Sequence, residues 1–285
     1  MGCMLVVLLI WSFIPDHGSV AGLKWLQFLQ SIGLFIVPAC LIARLSSPTP
    51  AVWLHLDTKP HAATGALAML VMIVAVPTIG LLSYLNQQLS LPECMAGLEQ
   101  WMIEMESRST ALMESFLQVS TLGGLLCNLV LMALLAGLGE ELTFRATMQN
   151  LIQEGHLRSA STAAPHVAIW VTAIIFSLIH LQFYGFVPRM LMGAMFGYVL
   201  YWTGSLWIPI IMHATNNAVV VVVYYVSSKY GMDSSVIDTI GSGPTLWLGL
   251  LSMVLTGVLI WLLRDYSLRR SRTISNASSL TSEGN

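Results

Sequence analysis

Three short polar groupings carry the residue types that can act on a substrate: Glu140-Glu141-x-x-x-Arg145, Phe176-x-x-x-His180 and His213-x-x-x-Asn217. Two carboxylates, two imidazoles and an amide are the groups that water-activating chemistry needs. Each grouping falls in or at the end of an apolar stretch. An ionisable side chain in lipid costs roughly 2.5–3.5 kcal/mol on insertion scales, so it is first read as functional. The combination points to an intramembrane hydrolase.

The elements that must position these residues are membrane helices. Of 285 residues, 56% are hydrophobic and only 9% charged, against about 25% charged in soluble domains. Apolar runs of about 20 residues predict an all-α polytopic bundle of about eight transmembrane helices, near 2–14, 25–45, 64–86, 118–138, 165–181, 187–203, 205–227 and 245–263. The first is short for a crossing. Residues 1–267 read as a single membrane domain, and 268–285, rich in Ser, Thr and Arg, as a disordered tail. A net charge of -2 excludes a large basic surface, and with it a nucleic-acid partner. The four cysteines (Cys3, Cys40, Cys94, Cys127) form no C-x-x-C pair, and the three in or beside apolar spans read as small hydrophobes.

Arg264, Arg269, Arg270 and Arg272 follow the last span, which makes the C-terminus cytoplasmic by the positive-inside rule. Counting back puts 46–63 and 146–164 on the same side and the acidic segment 87–117 outside, while Lys24, Arg189 and Lys229 fall on the wrong side. Within the outer segment, Met95, Leu98, Met102 and Met105 recur at helical spacing, giving an amphipathic helix over 95–117.

Glu141 and Arg145 are four apart on one helical face and can pair. Glu140 points about 100° away, toward a different partner. A carboxylate cluster where a helix leaves the membrane would be unremarkable, but Leu142, Phe144, Met148, Leu151 and Ile152 carry the amphipathic pattern on to about Glu154, with Gly155 as the stop. The next helix restarts near Pro165, a favoured first-turn residue. At about 1.5 Å per residue, Glu140 is ~21 Å from the end of its helix and His180 about 22 Å past Pro165. Antiparallel neighbours would bring them to one depth, with Phe176 on the His180 face. His213 and Asn217 share a face with Thr215 and Asn216 between them; they serve either chemistry or an interhelical hydrogen-bond patch. Gly193-x-x-x-Gly197 is a close-packing face.

In this order and on these spans the three motifs resemble the CPBP family, which takes in type II CAAX prenyl endopeptidases, bacteriocin-processing enzymes and abortive-infection proteins. The resemblance covers about residues 118–227. It implies a helical bundle with a water-filled cavity open toward the cytoplasm, and peptide-bond cleavage by activated water. Mapped onto this chain, it makes Glu140 the general base, His180 the group that orients the water, Glu141 the partner that holds Arg145, and His213 and Asn217 the oxyanion donors. Zinc held by Glu140, His180 and His213 is the alternative; the absence of H-E-x-x-H and the origin of the three in separate helices favour no cofactor. The implied partners are membrane lipid and a peptide or protein substrate, lipidated or not, and the implied location is the plasma membrane of a bacterium. The rival readings are a catalytically silent membrane scaffold or immunity protein, and a transporter, for which inverted repeats are missing.

Overall fold

A computed structural model describes residues 2–12, 18–157, 162–234 and 236–282. They form helices and no strand. In chain order the longer helices are α1 (Gly2–Ser12), α2 (Val20–Ser46), α3 (Ala62–Gln87), α4 (Ala96–Leu117), α5 (Leu122–Gly155, running on to Leu157), α6 (Ala164–Leu178), α7 (Phe186–Thr203), α8 (Trp207–Tyr230) and α9 (Leu246–Ser282). Six of these, α2, α3, α5, α7, α8 and α9, are long and apolar enough to cross a membrane, and α6 is a shorter apolar helix. The protein is an integral, multi-pass membrane protein. Among the described residues six of the expected eight spans are long ones, while α6 and the 11 described residues of α1 fall short of that length.

The outward faces stay apolar: Leu126, Val130 and Leu134 on α5, and Trp247, Leu250, Val254 and Trp261 on α9, are all exposed. In lipid this carries no penalty, so close contact between small side chains does more to hold the helices together than apolar burial. One buried cluster joins Ala39 and Ala43 of α2, Leu142 and Ala146 of α5, Leu200 of α7 and Ile210 of α8. Another joins Ala68, Val71 and Met72 of α3 to Phe196 and Val199 of α7, Met212 of α8 and Leu263 of α9. Pro77 interrupts the α3 ladder; beside it the Thr78 N–H donates to Ser252 Oγ at 3.2 Å, and Ser252 Oγ donates to the Val74 carbonyl. A polar clamp from α9 therefore satisfies the backbone where lipid cannot.

Gly204 (φ 63°) and Gly231 (φ 65°) end α7 and α8 in the left-handed region open to glycine. Gly155 does not act as a stop, since helix continues to Leu157. Residues 268–282, within the expected disordered tail, are helical and continue α9; no proline or glycine stands between Gly257 and Gly284.

Loop 47–61 marks one end of the bundle. There Asn150 Nδ2 donates to the Trp53 carbonyl, Trp207 Nε1 to the Leu56 carbonyl and Ser205 Oγ to the Thr58 carbonyl, and Tyr266 of α9 meets His61. The start of α8, the lower part of α5 and the basic part of α9 therefore share an end, as the alternating topology requires. The amphipathic helix expected over 95–117 is α4, at the opposite end. Asn128, fully buried, ties it down: its Nδ2 donates to the Phe116 carbonyl at 2.7 Å and its Oδ1 accepts from Lys24 Nζ at 2.7 Å.

Candidate functional site

Helix α5 reaches the centre of the bundle on glycines. A Cβ on Gly137 would lie 3.2 Å from the Ala214 backbone nitrogen of α8, and one on Gly139 would lie 3.1 Å from Phe35 Cβ of α2. These crossings set the next residues, Glu140 and Glu141, among three other helices. The α5 backbone is π-helical over Leu129–Leu135 and again over Leu142–Gln149. Such wide turns occur often at functional sites because they shift the face a helix presents.

Glu141 is wholly buried and joins two partners. Its Oε2 lies 3.2 Å from Arg145 Nε, and its Oε1 accepts from His213 Nδ1 at 2.7 Å. Arg145, equally buried, donates from Nη2 to the Gly193 carbonyl at 3.2 Å and lies with its guanidinium carbon 4.3 Å from the centroid of the Phe176 ring. A glycine at 193 leaves that room: a Cβ there would be tight, 3.2 Å from Arg145 Nη2 and 3.3 Å from Ala173 Cα. The expected close-packing pair Gly193 and Gly197 thus serves the α6–α7 contact and the arginine together.

Glu140 points the other way. Its Oε2 lies 3.7 Å from His213 Nε2 and 3.9 Å from His180 Nε2, and accepts no hydrogen bond from any described residue. Both imidazoles are oriented from behind. His180 Nδ1 is 2.6 Å from the Phe176 carbonyl, which can only accept, so Nδ1 carries the proton and Nε2 turns to Glu140. The Glu141 carboxylate does the same for His213, whose ring also stacks on Phe196 at 5.5 Å. Phe176 packs edge-on against His180 at 4.9 Å.

A cavity of about 420 Å³ opens on Glu140, His180 and His213, with Arg189, Asn216 and Asn217 also in its wall. A second, of about 460 Å³, lies toward α2 and α4 and shares Gln27, Met113, Glu140, His180 and Gln182 with the first. Asn217 donates from Nδ2 to the Met132 carbonyl at 2.9 Å and accepts from Asn216 Nδ2 at 3.2 Å. It thus links α8 to the π-helical part of α5 while facing the cavity.

Of the six motif residues, Glu140, His180, His213 and Asn217 line this cavity, while Glu141, bonded to His213, and Arg145, paired with Glu141, lie buried behind it. Two details differ from expectation. His180 is off the helix, which ends at Leu178, and stands on the turn beyond it. The cavity lies toward α4, the end opposite the basic part of α9, so a cytoplasmic C-terminus and a cavity open to the cytoplasm exclude each other. Arg189, Gln182 and Asn216 were not among the expected site residues. Arg189, an ionisable group in the first turn of an apolar helix, and Asn216, in the polar run of α8, both carried a signal.

Residues 122–219 match the family model described as type II CAAX prenyl endopeptidase Rce1-like. The Rce1-like stretch is roughly a third of the chain, contains all six motif residues, and agrees with the CPBP resemblance. It supports a CAAX-type intramembrane protease fold. No curated protein and no solved structure matches the chain. Among the described residues no group of three His, Cys, Asp or Glu side chains is arranged to hold a metal ion.

Proposed function

We propose that the protein is an intramembrane endopeptidase that cleaves a peptide bond with water activated by Glu140. The observation that carries this reading is the convergence of two back-anchored imidazoles on Glu140 Oε2, a buried carboxylate oxygen that accepts no hydrogen bond from any described residue. A buried acceptor of that kind calls for a partner, and a water at about 2.8 Å from both Glu140 Oε2 and His180 Nε2 fits beside their 3.9 Å separation. Glu140 takes one proton of the water as the oxygen attacks the scissile carbonyl, His180 holds the other, and Glu140 passes its proton to the departing amine. The remaining N–H groups of Asn216 and Asn217 and the guanidinium of Arg189 face the same cavity and stabilise the developing oxyanion. Glu141 and Arg145 fix His213 and the α5–α7 spacing. The two cavities meeting at Glu140 let an extended peptide lie across the water.

The test is cleavage of a prenylated peptide and of an unmodified peptide library by detergent-purified protein, with Glu140→Gln and His180→Ala beside the wild type. Both variants should express and fold, and turn over at least about 10²-fold more slowly. Equal cleavage by all three proteins would overturn the assignment and favour the scaffold reading. The ratio of the two substrates tells whether a lipid chain is required.

A further inference from the structure

His180 owes its position to a turn that its own sequence does not favour. Leu181, next to it, has φ 52°, a left-handed conformation that leucine seldom adopts. Such a residue persists where its surroundings over-determine it. Here the next three residues are each anchored from a different helix. Arg189 of α7 donates to the Gln182 carbonyl at 3.2 Å, Asn86 of α3 donates to the Phe183 carbonyl at 2.8 Å, and the Tyr184 N–H donates to Glu106 Oε2 of α4 at 3.2 Å. Trp101 of α4 packs on Phe183 with ring centroids 5.5 Å apart. Of the three anchoring helices, α4 is the one that is not a membrane span; it is amphipathic and largely exposed. It also lines both cavities through Met113.

We propose that Glu106 is a positioning residue: its hydrogen bond to the Tyr184 N–H, together with the Trp101 contact, makes α4 the element that holds His180 Nε2 toward Glu140. The inference rests on the proposed cleavage for its kinetic consequence, and on the turn geometry alone for its structural one. Without Glu106 the Tyr184 N–H has no such acceptor, the turn relaxes away from the left-handed Leu181 conformation, and the imidazole leaves the carboxylate.

The experiment uses the full chain in detergent, as wild type, Glu106→Ala, Glu106→Gln and Asn86→Ala. It reads kcat and KM on the cleaved peptide, amide exchange over residues 181–186, and the rate at which diethyl pyrocarbonate modifies His180. In Glu106→Ala, kcat should fall about tenfold with KM changed by less than about twofold, while exchange over 181–186 and modification of His180 rise and exchange over α8 stays as in wild type. Glu106→Gln, which keeps an acceptor oxygen, should return all of these toward wild type. Asn86→Ala should raise the same exchange and give the readout if Glu106→Ala fails to fold. Unchanged exchange and His180 reactivity in Glu106→Ala would overturn the proposal, as would a Gln variant as impaired as the Ala variant. If the wild type cleaves nothing, the cleavage reading fails by itself and the exchange and modification data still decide the positioning.

Discussion

His213 Nδ1 and Glu141 Oε1 lie 2.7 Å apart with both side chains buried, joining α8 to α5 across 72 residues of sequence. The same carboxylate holds Arg145 with its other oxygen. One buried charge thus orients the imidazole facing Glu140 and balances the cation beneath it. Removing a single member of such a set leaves an uncompensated charge, which is more costly than removing the pair.

Glu141→Gln should therefore lower stability by about 3–5 kcal/mol, because Arg145 keeps its charge in a buried site, and should abolish cleavage. Adding Arg145→Met should recover most of the stability and none of the activity. Thermal unfolding in detergent, paired with turnover, checks both halves. A single variant as stable as wild type would mean that Arg145 does not depend on Glu141.

Gly137→Val should separate α5 from α8. Even a methyl at 137 would lie 3.2 Å from the Ala214 backbone nitrogen, and overpacking of this kind costs typically about 1–3 kcal/mol. Ala214 adjoins His213, so activity should drop by more than the stability loss explains. Turnover compared at equal folded fraction tests this.

Asn217→Ala removes the bond to the Met132 carbonyl and a donor from the cavity wall. Stability should fall by about 1 kcal/mol and kcat by about 10²-fold or more. A loss of stability with kcat retained would leave Asn217 as an interhelical link alone.

Activity should survive a strong chelator and should not rise with added zinc. Measured on the purified protein, loss with chelator and recovery with zinc would replace the water-on-glutamate reading with a metal-bound one.

Orientation can be read from Cys94, which is exposed beside the start of α4. In a variant keeping only this cysteine, a membrane-impermeant maleimide should label intact cells, as the arginines in the C-terminal part of α9 require. The cavity, on the α4 side, then faces away from the cytoplasm. Labelling only after lysis would put the C-terminus outside and the cavity inside.

The juxtaposition of Glu140 and His180 was legible because both distances were counted along helices from a shared hairpin, and rise per residue transfers well from sequence to space. Glu141 with Arg145, and Phe176 with His180, were legible from i,i+4 spacing for the same reason. What spacing does not encode is less visible. The turn under His180 is set by Asn86, Glu106 and Arg189, which are remote in sequence. Gly137 and Gly139 look like a weak point in a helix until the crossings of α8 and α2 are known. The π-helical turns of α5 have no composition signature. Gly155 looked like a terminus, yet a glycine inside a helix costs only about 1 kcal/mol and α5 carries it through to Leu157.

Glu140 and His180 stand where two cavities meet, not at the bottom of one. A blind pocket would oblige the two halves of a cut chain to leave one after the other through a single mouth. On the proposed cleavage each half would have its own side: the piece ending in a new carboxylate and the piece beginning with a new amine would withdraw in different directions. Blocking one side with a bulky residue, as at Leu112 of the second cavity, would then trap one fragment while freeing the other.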